Sequence, residues 1–319
     1  VMKLIIFCIT VGISLMFIYY QNLRKEIDVR QKWLETVLTG EKKWILENQG
    51  PEGEFYMNGS KAGDVNPYFA CMAALGLLAE TKNCPITETE KKAVGRYLDW
   101  HTGILLETDG KMGIYRKKSG KLIYKEKADS EDGYLGMYLF LMVKYLEKTE
   151  STDLPEYWKK GISLALKKIQ SLMQDGITQV SEENTTVYLM DNLEVWKGLY
   201  ELEHAGLKDV QAIREMRNKL QAQIEKLFWD DANQRWRIIE NSDLYHQKEF
   251  YPDGVAQIYP LIYEFPVKEK KKQKILYEQF TEKFQWQKLN KKRNGFLWAM
   301  TGMAAAQMGD INNLVELIR

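Results

Sequence analysis

Two patterns of apolar residues alternate along the chain, and each predicts a different kind of helix. In the first pattern, apolar residues recur at helical spacing among charged ones, as Trp158 and Ile162 do beside Lys159 within residues 155–173. Such an amphipathic helix packs its apolar side on the core. In the second pattern, apolar or small residues fill nearly every position, as in residues 133–146. A helix of this kind is buried on all sides, so we expect outer and inner helices.

The two kinds of helix alternate strictly, with an outer helix before each inner helix. The predicted outer helices cover residues 28–48, 87–106, 155–173, 208–228 and 268–284. The predicted inner helices cover residues 67–79, 133–146, 187–202, 254–263 and 295–308. A sixth outer helix is predicted from Asp310 to Arg319, so the last hairpin is expected to be incomplete. The hairpins recur about every sixty residues, which predicts an all-α (α/α)6 toroid, with an open α-solenoid as the alternative.

The loops that lead from an outer helix to the next inner helix are longer than the loops that lead back. They cover residues 49–65, 107–127, 175–186 and 229–250. Two of them contain paired runs of β-favouring residues around a turn, at 113–124 and 228–238, which predict small β-hairpins. Long loops on one face of a rigid scaffold commonly carry binding sites. We therefore expect the functional site at the rim, defined as the face formed by the N-terminal ends of the inner helices.

The N-terminal segment predicts attachment to a membrane. Residues 4–20 form an apolar stretch without a charged residue, which suits a short spanning helix or the apolar region of a secretory signal. No small-residue cleavage motif follows, and this favours an uncleaved signal anchor or transmembrane segment over residues 1–22. The folded domain is then predicted to cover residues 23–319. We expect it to be membrane-anchored outside the cytoplasm, or secreted if the signal is cleaved.

Composition removes several classes of function. The 319 residues carry 45 Lys and Arg against 44 Asp and Glu, and the net charge of +1 gives no electrostatic basis for binding nucleic acid. Three cysteines and three histidines at wide spacing form neither a disulfide framework nor a metal-binding pattern. We therefore expect no metal and no cofactor. The nine Trp and 18 Tyr, by contrast, are unusually many.

The candidate catalytic residues are acidic residues that the pattern places at the rim. They are Glu52, Glu54, Asp129, Asp132, Asp191 and Asp253. A carboxyl group can act as a general acid when burial raises its pKa, or as a general base when it is ionised. Structural interpretations stay open beside the catalytic one. Asp129 is also a possible N-cap and Asp132 a favourable first-turn acid, whereas Glu52 and Glu54 also suit a solvated turn.

The candidate substrate-binding residues are aromatic and polar side chains near the same rim. They are Tyr68, Tyr134, Glu194, Trp196, Gln257 and Trp298. Aromatic rings can stack on sugars, although a single tryptophan is more often part of the core. Asp191 and Glu194 are three residues apart on one helix face. Since burying an unpaired carboxylate is costly, they either face a polar pore or tie inner helices together.

Two short segments resemble motifs of family 8 glycoside hydrolases. Residues 51–57 (PEGEFYM) are similar to that family's SEGQxYGM segment, and residues 128–137 (ADSEDGYLGM) are similar to its AxDxDLxM segment. Together with the outer and inner hairpins, they make residues 28–319 resemble the six-hairpin glycosidase superfamily. The resemblance implies that Glu52 is the general acid. It also implies that the acidic pair of the second segment falls on Glu131 or Asp132.

The resemblance implies hydrolysis of a glycosidic bond in a polysaccharide or oligosaccharide, with inversion. One acid protonates the leaving oxygen, and a second carboxylate, about 6.5–9.5 Å away, activates water. Two other functions stay open. One is a polysaccharide lyase on the same toroid, for which His246, Tyr251 and Arg293 are candidates. The other is a membrane-tethered helical scaffold that binds a glycan or a protein without turnover.

Overall fold

The computed structural model describes residues 28–57, 59, 63–118, 121–151, 154–207, 209–240, 249–267, 270–288 and 300–318. These residues form two compact units, and the boundary between the units falls within two of the helices. The predicted anchor segment 1–22 and the predicted domain start at residue 23 lie outside the described residues. Within the described ranges, no helix combines the length and the apolar character that crossing a membrane requires.

The first unit consists of the described residues up to 129 together with residues 141–166. Its helices, including the two that the boundary divides, are α1 (Asp28–Glu47), α2 (Pro67–Leu77), α3 (Glu88–Glu107), α4 (Glu131–Thr149) and α5 (Glu156–Leu172). Its strands are β1 (Asp64–Val65), β2 (Gly113–Lys118) and β3 (Lys121–Lys127). They form one antiparallel sheet in the order β1-β2-β3, in which Tyr115 pairs with Val65 on one side and with Tyr124 on the other.

The second unit consists of residues 130–140 together with the described residues from 167 onward. Its helices are α6 (Leu189–Ala205), α7 (Val210–Phe228), α8 (Val255–Ile262), α9 (Lys270–Phe284), α10 (Thr301–Gln307) and α11 (Ile311–Ile318). A π-helical turn (Phe250–Gly254) precedes α8, and a 3-10 turn (Trp286–Lys288) follows α9. Two antiparallel hairpins pair β4 (Met173–Gln174) with β5 (Ile177–Thr178) and β6 (Trp229–Asp230) with β7 (Arg235–Trp236).

Burial confirms the predicted alternation of outer and inner helices. In the inner helix α2, every residue except Phe69 is buried. In the outer helix α7, the buried residues form one stripe at helical spacing, Ile213, Leu220, Ile224 and Phe228. The predicted β-hairpins in two of the long loops are confirmed as β2–β3 and β6–β7.

Local chemistry explains where several helices begin and end. Asn66 caps α2 by accepting a hydrogen bond from the backbone of Tyr68 at 2.9 Å, and Pro67 occupies the first helical position, where its missing N–H costs nothing. Thr87 and Glu90 form a reciprocal capping box at the start of α3. Gly206 ends α6 in the left-handed conformation, with φ of 66°. The inner helices therefore start at defined residues, which fixes the position of their first turns.

Candidate active site

The carboxyl group of Asp132, in the first turn of α4, is completely buried, with 0% of the residue exposed. Ser130 Oγ donates a hydrogen bond to Asp132 Oδ1 at 2.8 Å, and Thr178 Oγ1 lies 2.7 Å from Asp132 Oδ2. Burial raises the pKa of Asp132 to about 6, and the bonds from Thr178 and Ser130 oppose part of this rise. Asp132 therefore keeps its proton to a higher pH than an ordinary carboxyl group does.

Thr178 stands between two oxygen acceptors but carries one hydroxyl proton. Its Oγ1 is 2.7 Å from Asp132 Oδ2 and 2.8 Å from Asn192 Oδ1. The Asn192 amide cannot flip without loss, because its Nδ2 donates to the carbonyl oxygens of Thr178 and Tyr188 at 3.0 and 2.9 Å. If Asp132 is protonated, it donates to Thr178, and Thr178 donates to Asn192. The neutral form of Asp132 thus gives each oxygen a donor, although burial is what raises its pKa and the bonds with Thr178 and Ser130 lower it.

Ser130 is the residue that caps α4. The backbone N–H of Gly133 donates to Ser130 Oγ at 3.2 Å, which is the bond that an N-cap side chain accepts from the third helical residue. Asp129 is exposed and lies one residue earlier. The interpretation of Asp129 as the N-cap is therefore wrong by one position. Glu131, the first residue of the helix, is 6% exposed, and its backbone N–H donates to Val180 O at 2.8 Å.

Glu194 lies in α6 and is held by hydroxyl groups from α8. Only 3% of Glu194 is exposed. Its Oε1 accepts hydrogen bonds from Tyr259 at 2.8 Å and from Tyr263 at 3.3 Å. Tyr259 lies in α8 and Tyr263 is the C-cap residue that follows it, four residues later, so both hydroxyl groups come from one side of this helix end. Of the two roles that the sequence left open for Glu194, facing a polar pore or tying inner helices together, its hydrogen bonds match the second.

Glycines allow the first turns of α4 and α6 to approach each other. A β-carbon on Gly133 would lie 2.5 Å from Glu194 Oε2, 2.8 Å from Ser130 Oγ and 3.7 Å from Asp191 Cα. Further along, a β-carbon on Gly136 would lie 2.6 Å from the backbone of Glu194. Real β-carbons do not come this close to other atoms. Position 136 therefore accepts only glycine, because the atoms opposite belong to the backbone, whereas a β-carbon at position 133 would displace the side chains of Glu194 and Ser130. The close approach brings Glu194 Oε2 and the backbone of Asp191 next to Gly133, the residue that follows Asp132.

Asp191 differs from its acidic neighbours because it is partly exposed. It lies in the first turn of α6, where the helix macrodipole favours a negative charge. Asp132 and Glu194, by contrast, are buried. Of these three acidic residues, Asp191 is therefore the one that is open to a substrate.

Asp253 and Gln257 lie on the π-helical turn and the first turn of α8. Asp253 is 8% exposed. The side-chain amide of Gln257 accepts a hydrogen bond from Trp236 N at 2.9 Å and donates one to Trp236 O at 2.8 Å. Gln257 therefore fastens the β6–β7 hairpin to α8, and both ends of its amide group are used in doing so.

The aromatic residues predicted to bind a sugar lie mainly in the core. Trp196 is 1% exposed and packs between Tyr200 and Phe265, with ring centroids 5.1 and 5.0 Å away. Tyr134 is 2% exposed. Tyr68, in the first unit, is 9% exposed and packs edge-on against its neighbour along the chain. Trp298 lies outside the described residues, as does His246.

In the first unit, the predicted acidic loop is built around a buried Glu54. Only 1% of Glu54 is exposed, and its Oε1 accepts a hydrogen bond of 2.5 Å from the Tyr56 hydroxyl. Burial, followed by this bond and by the charge of Glu54, raises the pKa of Tyr56 far above its ordinary value. Glu52 is exposed, and its backbone N–H donates to Glu54 Oε2 at 3.0 Å. Glu54 therefore orders the turn that presents Glu52 to solvent.

Several residues of this arrangement carry no role in the sequence interpretation. They are Ser130, Thr178, Asn192, Tyr259 and Tyr263. Asn192 gives the clearest signal in the sequence, because a buried amide in an apolar inner helix must find partners. Thr178 gives none, since its partner Asp132 is distant along the chain. No group of three or more metal-ligating side chains occurs within the described part of the chain.

Solved structures with the same fold support the predicted architecture. A wild-type glycosidase matches with a TM-score of 0.54 at 10% identity, covering 91% of this chain and 100% of that chain. A GH76 α-mannanase from Bacteroides thetaiotaomicron matches with a TM-score of 0.55 at 13% identity, covering 98% of this chain and 86% of that chain. A sugar epimerase from a ruminal bacterium matches with a TM-score of 0.53 at 9% identity, covering 96% of this chain and 75% of that chain.

Sequence comparisons add no further relative. No protein-family model matches the chain, and no curated protein sequence matches it. At the identities of the structural matches, the likeness concerns the fold alone. It confirms the predicted fold class, an all-α array of outer and inner hairpins of the (α/α) toroid type, and the resemblance to six-hairpin glycosidases at the level of the fold.

Proposed function

We propose that this chain is a glycoside hydrolase that acts on a polysaccharide or oligosaccharide. The fold is shared with a glycosidase and a mannanase. The observation that carries the proposal is the placement of Asp132, Asp191 and Glu194 near the starts of two inner helices, α4 and α6, that approach each other at Gly133. Hydrolysis of a glycosidic bond requires carboxyl groups in different protonation states, and here the first turns of two adjacent inner helices carry a buried carboxyl with a raised pKa, Asp132, and a partly exposed one, Asp191.

In the proposed mechanism, Asp191 is the catalytic base of the second unit, because it is partly exposed where its neighbours are buried. It activates a water molecule that attacks the anomeric carbon with inversion. Asp132 and Glu194 are positioning residues, since protein hydroxyl groups hold both. Asp253 is a further candidate at the start of α8. Glu52, in the first unit, is a separate candidate for a general acid, because the resemblance implies that role and the residue is exposed.

The test is release of reducing ends by the purified chain from a panel of mannans, glucans, xylans and chitin oligosaccharides. We expect Asp191→Asn and Glu52→Gln each to lower kcat by about a hundredfold or more. Glu215→Gln, which changes an exposed acid on the outer helix α7, is the matched control and should retain activity. No release of reducing ends from any of the glycans, or full activity of Asp191→Asn, would refute the proposal.

Membrane attachment through residues 1–22 is part of the proposal but rests on the sequence alone. An anchored hydrolase would act on cell-surface or exported glycans. Fractionation of cells that express the whole chain tests this point separately from activity. Recovery of the whole chain without membranes would remove the anchor from the proposal and leave the hydrolase in place.

A further inference from the structure

A polar cavity of about 730 Å³ lies in the second unit, away from the side chains assigned to catalysis. The β4–β5 turn, the segment before α6 and the end of α7 form its walls. Its volume falls within the range of about 300–1,000 Å³ that is usual for small-ligand sites.

Gln179 is the residue that points most clearly to a ligand. It lines the cavity and is only 9% exposed. Its backbone N–H donates to Leu172 O at 3.1 Å, but its side-chain amide makes no hydrogen bond to any residue that the structure describes. The amide lines the cavity and is not among the fully buried groups without a partner, so its donors and its acceptor are reached from the cavity. A ligand with hydroxyl groups could bond to them there.

The rest of the lining is chemically suited to a sugar. Gln174 and Gln223 add two more primary amides, each with two donors and an acceptor. Ile177 and Val187 are buried at 5% exposure and provide an apolar surface. A pyranose presents the complementary pattern, with hydroxyl groups around its edge and C–H groups on its face. Two acids and one lysine also border the cavity, so it offers no excess positive charge for a uronate or a phosphate.

We propose that this cavity is a glycan-binding subsite that takes an uncharged pyranose unit. The inference deepens the proposed function and rests on it, because it assumes that the chain meets glycans. Gln179 follows Thr178, whose hydroxyl contacts Asp132, so the subsite is one residue away in sequence from the buried carboxyl network. A glycan held there is retained by the second unit independently of bond cleavage.

Saturation-transfer NMR with methyl α-D-mannopyranoside and methyl β-D-glucopyranoside tests the subsite, with methyl α-D-glucuronide as the charged probe. We expect at least one neutral glycoside to bind the wild-type chain and the glucuronide not to bind. Gln179→Leu should weaken that binding by about tenfold, the loss of one or two hydrogen bonds. Gln223→Leu is a second variant at a less buried position, and Gln170→Leu on the outer face of α5 is the control.

The outcomes separate this inference from the proposed function. Binding that persists in Asp191→Asn but falls in both cavity variants supports the subsite, even if the chain hydrolyses nothing. Binding that falls in Asp191→Asn and persists in Gln179→Leu and Gln223→Leu overturns the subsite and favours the carboxyl cluster as the sugar site. The subsite is also overturned if neither of the two neutral glycosides binds the wild-type chain. Thermal melting of each variant is measured as a control, and a melting temperature equal to that of the wild type shows that the variant is folded.

Discussion

Gly198 on α6 and Gly136 on α4 lie so close that a β-carbon on Gly198 would be 2.4 Å from the carbonyl oxygen of Gly136. The same would hold in the other direction, since a β-carbon on Gly136 would meet the backbone of Glu194 at 2.6 Å. Two inner helices therefore touch through backbone atoms at this crossing. This contact brings the acids of their first turns to the same place.

Gly136→Ala and Gly198→Ala should each destabilise the chain by roughly 1–3 kcal/mol or more, because the backbone opposite cannot move aside as a flexible side chain can. Gly40→Ala is the matched control. Gly40 lies within α1, and a β-carbon there would meet nothing within 4 Å. That change should stabilise the helix by about 0.5–1 kcal/mol. Urea denaturation measures all three, and equal effects at the three glycines would contradict the close crossing.

Removing the hydroxyl group of Thr178 should lower the stability of the chain, whereas removing only its methyl group should have a smaller effect. Thr178→Val keeps the shape of the side chain but leaves Asp132 and Asn192 without the group between them. We expect a loss of roughly 1–3 kcal/mol in the free energy of unfolding. Thr178→Ser retains the hydroxyl and should recover much of that loss. Equal stability of the valine and serine variants in urea would show that the hydroxyl does not link the two residues.

The stability of the wild-type chain relative to Asp132→Asn should depend on pH. The pKa of Asp132 is about 6 in the folded chain against an ordinary aspartate value of 3.8, so folding favours the protonated form. The stabilising effect of this proton is complete below about pH 4 and is lost as the pH rises through about 6. The wild type should therefore lose roughly 3 kcal/mol relative to Asp132→Asn across this window.

Parallel urea titrations of both proteins at several pH values check this dependence. The comparison with Asp132→Asn is essential, because other carboxyl groups titrate in the same range and contribute equally to both proteins. A difference that stays constant with pH, or one that grows in favour of the wild type above about pH 6, would contradict the assignment of a buried, protonated Asp132.

The two tyrosines that bind Glu194 should contribute unequally. The hydroxyl group of Tyr259 is 2.8 Å from Glu194 Oε1, whereas that of Tyr263 is 3.3 Å away and also lies 3.5 Å from the sulfur of Met137. Tyr259→Phe should cost roughly 1–3 kcal/mol, and Tyr263→Phe less. Tyr124→Phe, at a residue that is 56% exposed, is the control and should change nothing measurable in thermal or urea unfolding.

The order of helices could be predicted from the sequence because it depends on periodicity. The inner helix α6 was expected at residues 187–202 and spans Leu189–Ala205, and the outer helix α9 was expected at 268–284 and spans Lys270–Phe284. In both helices, the spacing of apolar residues along the sequence matches the residues that the fold buries. The β2–β3 hairpin was predictable for the same reason, since its strands alternate around a turn.

The roles of single side chains at the site were not predictable in the same way. The sequence places Asp132 at a helix start, but only the fold brings the hydroxyl of Thr178 to it, 46 residues along the chain. Trp196 could have faced either the core or a sugar, and its contacts with Tyr200 and Phe265 decide for the core. The N-cap was misplaced by one residue, because Ser130 and Asp129 have equal capping chemistry.

A single proton links two helices through Thr178. When Asp132 on α4 loses its proton, the threonine hydroxyl must turn from Asn192 to the new negative charge, because it can donate to one oxygen at a time. Asn192 on α6 then keeps the backbone N–H of Thr178, at 2.9 Å, as its remaining donor on that oxygen. Titration of Asp132 on one helix thereby changes the hydrogen bonds of Asn192 on the neighbouring helix through the rotation of a hydroxyl group.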